Sequence, residues 1–519
     1  MSTKVRFQVK MENPDRSGMA RAARQGMLVE SVWNDRSRPF DAEGVGGRPS
    51  GAGRRHPAEA KANRPMSSLE CGSRDPVKPR SADGKRAQQK APWRAMAIVV
   101  TAACGLLGVS VAPRVWTEFQ IRKARRLMDA RQDARALDLL RRAERFQPNS
   151  GSIQFHLGRV HRHLGDTETS GKHLAIARQN GYAEHLVDRE YQLISAQQGQ
   201  FGEIEPYIGA LLANEVTELP DICEALARGF VKTLRFRDAH RMLDSWALVE
   251  HTDPVLHTMR GELFRLRDEW KPAIDSYKMA LLHDPDHADA LLGLGEAFLE
   301  MAQWSEAEEA FRRARPLFEV RENADRERVE RGLVRCLIEL RSDDPSRRDE
   351  ARALTADLTA DLTANDEWRP MLARLALAEK RPDRAIAWLA PRVACWPDEI
   401  ATASLEAEAF RALGRVEDAD RRTRAVELAA REWSGVAPLL KVLDEQPKNA
   451  DVRYEIGELV VRLRSRRDGI RWLEAATLLD SFHRAAHERL IATCEKAGEV
   501  ELGIRFRRRM ESIVEVVHR

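Results

Sequence analysis

Residues 254–321 carry one helical unit twice, end to end, and this duplication limits the chain to an array. In the first copy Gly261 and Phe264 lie in one apolar stretch, Ala273, Tyr277 and Ala280 in the next, and Pro285 near the close. In the second, Leu291, Leu294, Gly295 and Phe298 are followed by Ala307, Phe311 and Ala314. Apolar residues three or four apart mark one face of a helix. Gly261/Gly295 and Ala273/Ala307 fall where two antiparallel helices must approach closely. Pro285 cannot continue a helix, so it separates one unit from the next. A unit of this kind buries its apolar face only against its neighbours.

Small and large residues at these offsets, across a helix–turn–helix of about thirty-four residues, resemble the tetratricopeptide repeat. Glu262/Glu296 and Trp270/Trp304 keep the same register without belonging to that family's pattern. The resemblance implies an all-α, right-handed superhelical solenoid in which the first helix of each unit lines a concave groove. It also implies work in assembly or recruitment. Some members hold chaperone C-termini in a lysine/asparagine carboxylate clamp. The matching positions here hold Thr258 with Glu262 and Leu292 with Glu296, so that clamp is not expected in these copies.

The phase extends on both sides. Ala124, Leu140 and Pro148 belong to a first unit, Leu157, Gly158, Gly165 and Leu174 to a second, and Ala227, Phe230 and Leu243 to a fourth. The repeats are read as one array over 117–321 and another over 366–519, with half a unit at 434–447. Between them, over 322–365, the phase slips. Asp343-Asp344-Pro345-Ser346 marks a longer loop there, and a Thr-Ala-Asp-Leu tandem prolongs the next helix.

The formal charge of +4 hides an asymmetry: residues 1–94 hold twenty Lys and Arg against ten Asp and Glu, leaving the remainder mildly acidic. That tail, rich in Arg, Gly, Ser and Pro, lacks a sustained apolar period and is expected to be disordered. No nucleic-acid binding is expected of the folded part. Residues 95–112, opening on Ala95 and closing on Ala112, contain no charge and reach the lower end of bilayer-spanning length. A single-pass membrane helix is the expectation, weighed against a buried core helix and a signal peptide. Arg and Lys flank the span on both sides, so the positive-inside rule pulls both ways. The repeats are placed on the non-cytoplasmic side, because a long basic tail is awkward to translocate ahead of its helix.

Motifs with chemistry were sought along the whole chain. The six cysteines stand singly, without the spacing of a zinc site or a disulfide framework. The run from Gly165 to His173 has one residue too many for a phosphate loop and lacks Ser or Thr after Lys172. Gly165 is better read as the turn between two helices. His156, His161, His163 and His173, and the pair His283 and His287, are read as solvated surface. Glu306, Glu308 and Glu309 are read as the exposed faces of their helix. No catalytic group, cofactor or metal site is assigned. By phase, Arg159, Arg162, Arg228 and Lys232 give the groove a basic end, and Glu262, Glu296 and Glu300 an acidic one. These charges are either a solvated face or a surface that reads an extended or helical segment of a partner protein. The expectation is a non-enzymatic, membrane-anchored scaffold. Its alternatives are a regulatory subunit positioning a membrane or envelope enzyme, and a tail that tethers the protein to nucleic acid or anionic lipid.

Overall fold

The computed structural model describes residues 115–213, 218–318, 324–340, 344–356 and 366–517. The tail 1–94, the apolar run 95–112 and most of the Thr-Ala-Asp-Leu tandem lie outside them. Among the described residues every regular element is a helix, and no helix is long and apolar enough to cross a membrane.

Residues 115–148 belong to one compact unit and 149–517 to another. The first contains α1 (115–129) and α2 (Asp133–Phe146). Ile121, Ala124 and Met128 on α1 and Ala136, Leu140 and Ala143 on α2 are buried. Trp116 meets Phe146 edge to face, with ring centres 4.9 Å apart.

The second unit is a run of antiparallel helix pairs. It begins with α3 (Gly151–His163), α4 (Thr167–Gln179), α5 (Glu184–Gln197), a short α6 (Ile208–Leu212), α7 (Leu219–Lys232) and α8 (Phe236–Val249). The duplicated stretch forms α9 (Pro254–Arg265), α10 (Trp270–His283), α11 (Ala288–Glu300) and α12 (Trp304–Phe318). Then come α13 (Ala324–Leu340), α14 (Pro345–Thr355), α15 (Arg369–Ala378), α16 (Pro382–Cys395), α17 (Ile400–Ala412) and α18 (Val416–Trp433). A single helix, α19 (Val436–Glu445), occupies the stretch read as half a unit. The pairs α20 (Ala450–Leu463) with α21 (Arg466–Leu479), and α22 (Arg484–Ala497) with α23 (Val500–Val517), complete the order.

The glycines of the duplicated motif explain how the pairs interlock. The Tyr277 ring of α10 lies against Gly261 of its own pair and Gly293 of the next, where an added Cβ would fall 2.6 and 2.4 Å from the ring. Phe311 of α12 does the same with Gly295 and Gly332, at 2.7 and 2.3 Å. Each aromatic is thus held between the first helices of two successive pairs, and both rings are fully buried.

The turn inside many pairs contains one residue in the left-handed region: Arg131, Gly165, Gly199, Leu234, Asp268, Ala302, Lys380, Gly414 and Gly498. Most neighbours in this series are about thirty-four residues apart, the repeat length itself. Asp166, Asp253, Asp344, Asn449 and Ser465 cap the helices that follow them by accepting a backbone N–H, which satisfies a donor the helix start leaves open.

The array of the second unit also turns back on itself. Ile456, Val460, Trp472 and Ala475 of α20 and α21 share one apolar core with Phe230, Leu234, Phe236 and Leu263 of α7 to α9. Arg453 of α20, fully buried, donates from its guanidinium to the carbonyls of Thr233 (2.8 Å) and Leu234 (2.9 Å), and to those of Asn449 and Pro447. Around this contact lie the ion pairs Arg267–Asp444, Arg464–Asp268, Arg471–Glu262 and Lys448–Glu205. A face of α7 to α9 is therefore covered by a later part of the same chain.

Candidate functional site

The seven charged residues expected in the groove fall into three places. Arg159 and Arg162 on α3 are interior. Arg162 is 2% exposed; its Nε donates to Glu190 (2.8 Å) and its terminal nitrogen to both oxygens of Asp221 (2.8 and 2.7 Å). Arg159 adds a 3.0 Å bond to Asp221 and lies 3.3 Å from Glu190. Against the cost of burial, Arg162, His163 and Arg159 hold the Asp221 carboxyl well below the carboxylate range. These charges knit α3, α5 and α7 together.

Arg228, Lys232 and Glu262 line a second place, a cavity of about 360 Å³ shared with Gln197, Val231 and Met259, and closed on one side by Arg471 and Glu474 of α21. Arg228 bonds Glu224 of its own helix, and Lys232 is 3.5 Å from Glu474. Glu262 accepts from Arg265 and Arg471, whose guanidiniums hold it well below its ordinary value despite its burial. Glu296 and Glu300 belong to the third place, a larger cavity of about 530 Å³ bounded by α9, α11, α13, α15, α17 and α20–α21. Glu296 takes a two-pronged bond from Arg328 (2.8 and 2.7 Å), and Glu300 lies 3.7 Å from Arg335.

Several surface expectations need correction. His156 and His161 are 5% and 6% exposed, and His163 lies 2.8 Å from Asp221. The spacing of this cluster follows the buried face of α3 because the helix is covered on both sides by its neighbours. Glu308 is only 13% exposed and pairs with Arg312 and Arg347, whereas Glu306 and Glu309 are exposed. Gly165 has φ +83° and forms the turn expected of it. Burial pushes the thiols of Cys336 and Cys494 up to about 12, which leaves them poor nucleophiles.

Sequence reasoning missed the arginines that line the larger cavity: Arg328, Arg331 and Arg335 on α13, Arg374 on α15, Arg464 after α20 and Arg467 at the start of α21. One signal was present. Arg328, Arg331 and Arg335 stand three and four apart and so share one face of α13. Arg464 and Arg467, which join them in the cavity, come from more than a hundred residues further on, and no local pattern announces that meeting.

Residues 268–318 match the tetratricopeptide repeat model. Solved structures similar to parts of the chain include a tetratricopeptide repeat protein of Parabacteroides merdae, 15% identical over 60% of this chain and 92% of its own, with a TM-score of 0.29. Another is TTC0263, a thermophilic repeat protein of Thermus thermophilus, 21% identical over 42% of this chain and 99% of its own, TM-score 0.24. A third is YrrB, described as having an unusual peptide-binding site, 15% identical over 40% of this chain and 86% of its own, TM-score 0.19. These likenesses concern the fold alone. No curated protein sequence matches the chain.

Proposed function

We propose that this chain, a helical-repeat protein of the tetratricopeptide type, is a non-enzymatic scaffold held at a membrane by residues 95–112. It would take a segment of a partner protein at the inner face around Arg228 and Lys232. One observation carries the reading. Although α20 and α21 pack against α7 to α9, the cavity beside Gln197, Arg228, Val231, Lys232 and Met259 stays open, with Val231 and Met259 as its apolar part and Arg228, Lys232 and Arg471 set among Glu262 and Glu474. Arg228 and Lys232 keep 38% and 41% of their side chains exposed there. An extended or helical segment with apolar anchors and acidic flanks complements such a surface. Arg159 and Arg162 drop out of this surface because they are 13% and 2% exposed, enclosed with Glu190 and Asp221.

The test is site-specific photo-crosslinking of the full chain in its native membranes, with the reactive group at Met259, at Arg228 and, as a control, at the exposed Arg421 of α18. A partner captured from the first two positions and not from the third is expected, with capture reduced by Arg228→Glu combined with Lys232→Glu. Equal capture from all three positions would defeat the assignment. The anchor is tested separately: the full chain should stay with the membrane through an alkaline carbonate wash, and release into the wash would end that reading. A reporter fused after Arg519 should be inactive in the cytoplasm if the repeats lie on the other side.

A further inference from the structure

The larger cavity, independently of the partner surface just described, is lined by nine arginines against six acidic residues. Most of its arginines are satisfied: Arg265 by Glu262, Arg328 by Glu296, Arg392 by Glu399, Arg464 by Asp268. Arg331, Arg335 and Arg467 are held only by longer ion pairs. Among the described residues none of the three makes a hydrogen bond, and their nearest carboxylates stand off at 3.9 Å (Glu327), 3.7 Å (Glu300) and 3.5 Å (Asp325). Arg331 and Arg335 are only about a fifth to a quarter exposed, so water does little to compensate them. Arg335 also lies over the Trp304 ring, 5.4 Å from its centre, a cation–π contact.

A network selected for stability alone would not be built this way. Like charges one turn apart weaken a helix, and burial of guanidiniums without close partners is unfavourable. Burial, more than any neighbour, draws Arg331 and, across the cavity, Arg374 below the ordinary value; for Arg374 the adjacent Arg335 adds to the effect. An anion in the cavity would relieve all of these at once. Planar guanidiniums offer paired donors that match the oxygens of a carboxylate or a phosphate. Arg331 and Arg335 are offset by roughly 6 Å along α13 and Arg467 comes from α21, so cations on two helices offer more than one position for an oxyanion. The volume of about 530 Å³ is that of a small-molecule site. Arg467 is half exposed, so the cavity communicates with solvent.

We propose that this cavity binds a small molecule with two oxyanion groups, anchored by Arg331, Arg335 and Arg467. Pyrophosphate and glutarate represent the phosphate and carboxylate forms of that chemistry. The full chain is titrated with each by calorimetry, against sodium chloride at matched ionic strength and a glutamate-rich decapeptide. Saturable binding of pyrophosphate, of glutarate or of both is expected, and which of them binds identifies the ligand's chemistry. Arg331→Gln and Arg335→Gln should each weaken it at least tenfold, with Arg421→Gln unchanged. Without ligand, Arg331→Gln should melt no lower than the parent chain, since it removes a poorly paired cation. The proposal is overturned by binding no stronger than the salt control, by binding that survives both substitutions, or by binding of the acidic peptide alone. It also falls if Arg331→Gln unfolds the chain, because Arg331 would then be a structural residue.

Discussion

Arg453 donates to the backbone carbonyl of Leu234 across 219 residues of sequence, at 2.9 Å, inside a fully buried contact. Together with its bonds to Thr233, Asn449 and Pro447, this makes one side chain the donor for four carbonyls at the place where the array meets itself. Burial draws its guanidinium down to about 9, so it remains charged at neutral pH. Replacing it with methionine leaves the carbonyls without a donor. A loss of about 3 kcal/mol or more is expected, read from the urea midpoint. Arg453→Lys should recover only part of it, because an ammonium cannot reproduce the planar fork.

Gly229 of α7 passes so close to α5 that an added Cβ would sit 1.8 Å from the Ala196 carbonyl oxygen. Backbone cannot yield as a side chain can. Gly229→Ala should cost roughly 3 kcal/mol or prevent folding, in the upper range for overpacked sites. Gly209, with open space at the same position, is the control. There Ala should stabilise by about 0.5–1 kcal/mol, and thermal unfolding of the two variants side by side separates the outcomes.

Ala302 holds the turn between α11 and α12 at φ +55°, a conformation that an L-residue with a Cβ adopts at a cost. Ala302→Gly should raise stability by up to about 1 kcal/mol, and Ala302→Val should lower it. Opposite shifts in melting temperature are the expected result.

Acid should weaken the fold before its carboxylates titrate. Burial, aided by Arg260 and Arg267 and opposed by Asp444, lowers His240 to about 3. The unfolded chain takes up that proton near pH 6.5 while the native state does not. Stability that is complete above pH 6.5 therefore falls as the pH drops towards 3, by about 2 kcal/mol at pH 5 from this residue. His257 and His487, also lowered by burial, act in the same direction. His240→Leu should flatten the fall between pH 7 and 5 in urea titrations. Below that range Asp221 and Glu262 take over, as both are held low by guanidiniums.

Arg162→Glu should abolish folding rather than a binding activity. It would set a third carboxylate against Glu190 and Asp221 in a buried site. Circular dichroism at 222 nm should separate it from Arg228→Glu, which should keep its helix content.

How much the sequence discloses depends on the range of the interaction. Tyr277 and Gly261 lie sixteen residues apart within one unit, so the small and large positions could be read directly. The turn conformation was legible where it falls on Gly165 and hidden where it falls on Leu234 or Ala302, residues that give no sign of a left-handed backbone. Arg159 and Arg162 were assigned to a helix face, but their burial depends on Asp221, some sixty residues on. Arg331 and Arg467 were out of reach altogether, since periodicity along one helix says nothing of what a distant helix brings to it. The apolar run 95–112 was visible by composition alone.

The meeting of α20 with α7 and α8 gives this repeat protein a fixed count. In an open stack, a duplicated or deleted unit merely changes the length, because each unit depends only on its neighbours. Here four helix pairs and α19 lie between the pair that carries Asp268 and the pair that carries Arg464. Adding or removing one of them would carry Arg453 about one repeat away from the carbonyls it serves. The chain has thereby given up the easy growth by duplication through which such arrays diversify, and its middle section can change in sequence far more readily than in number.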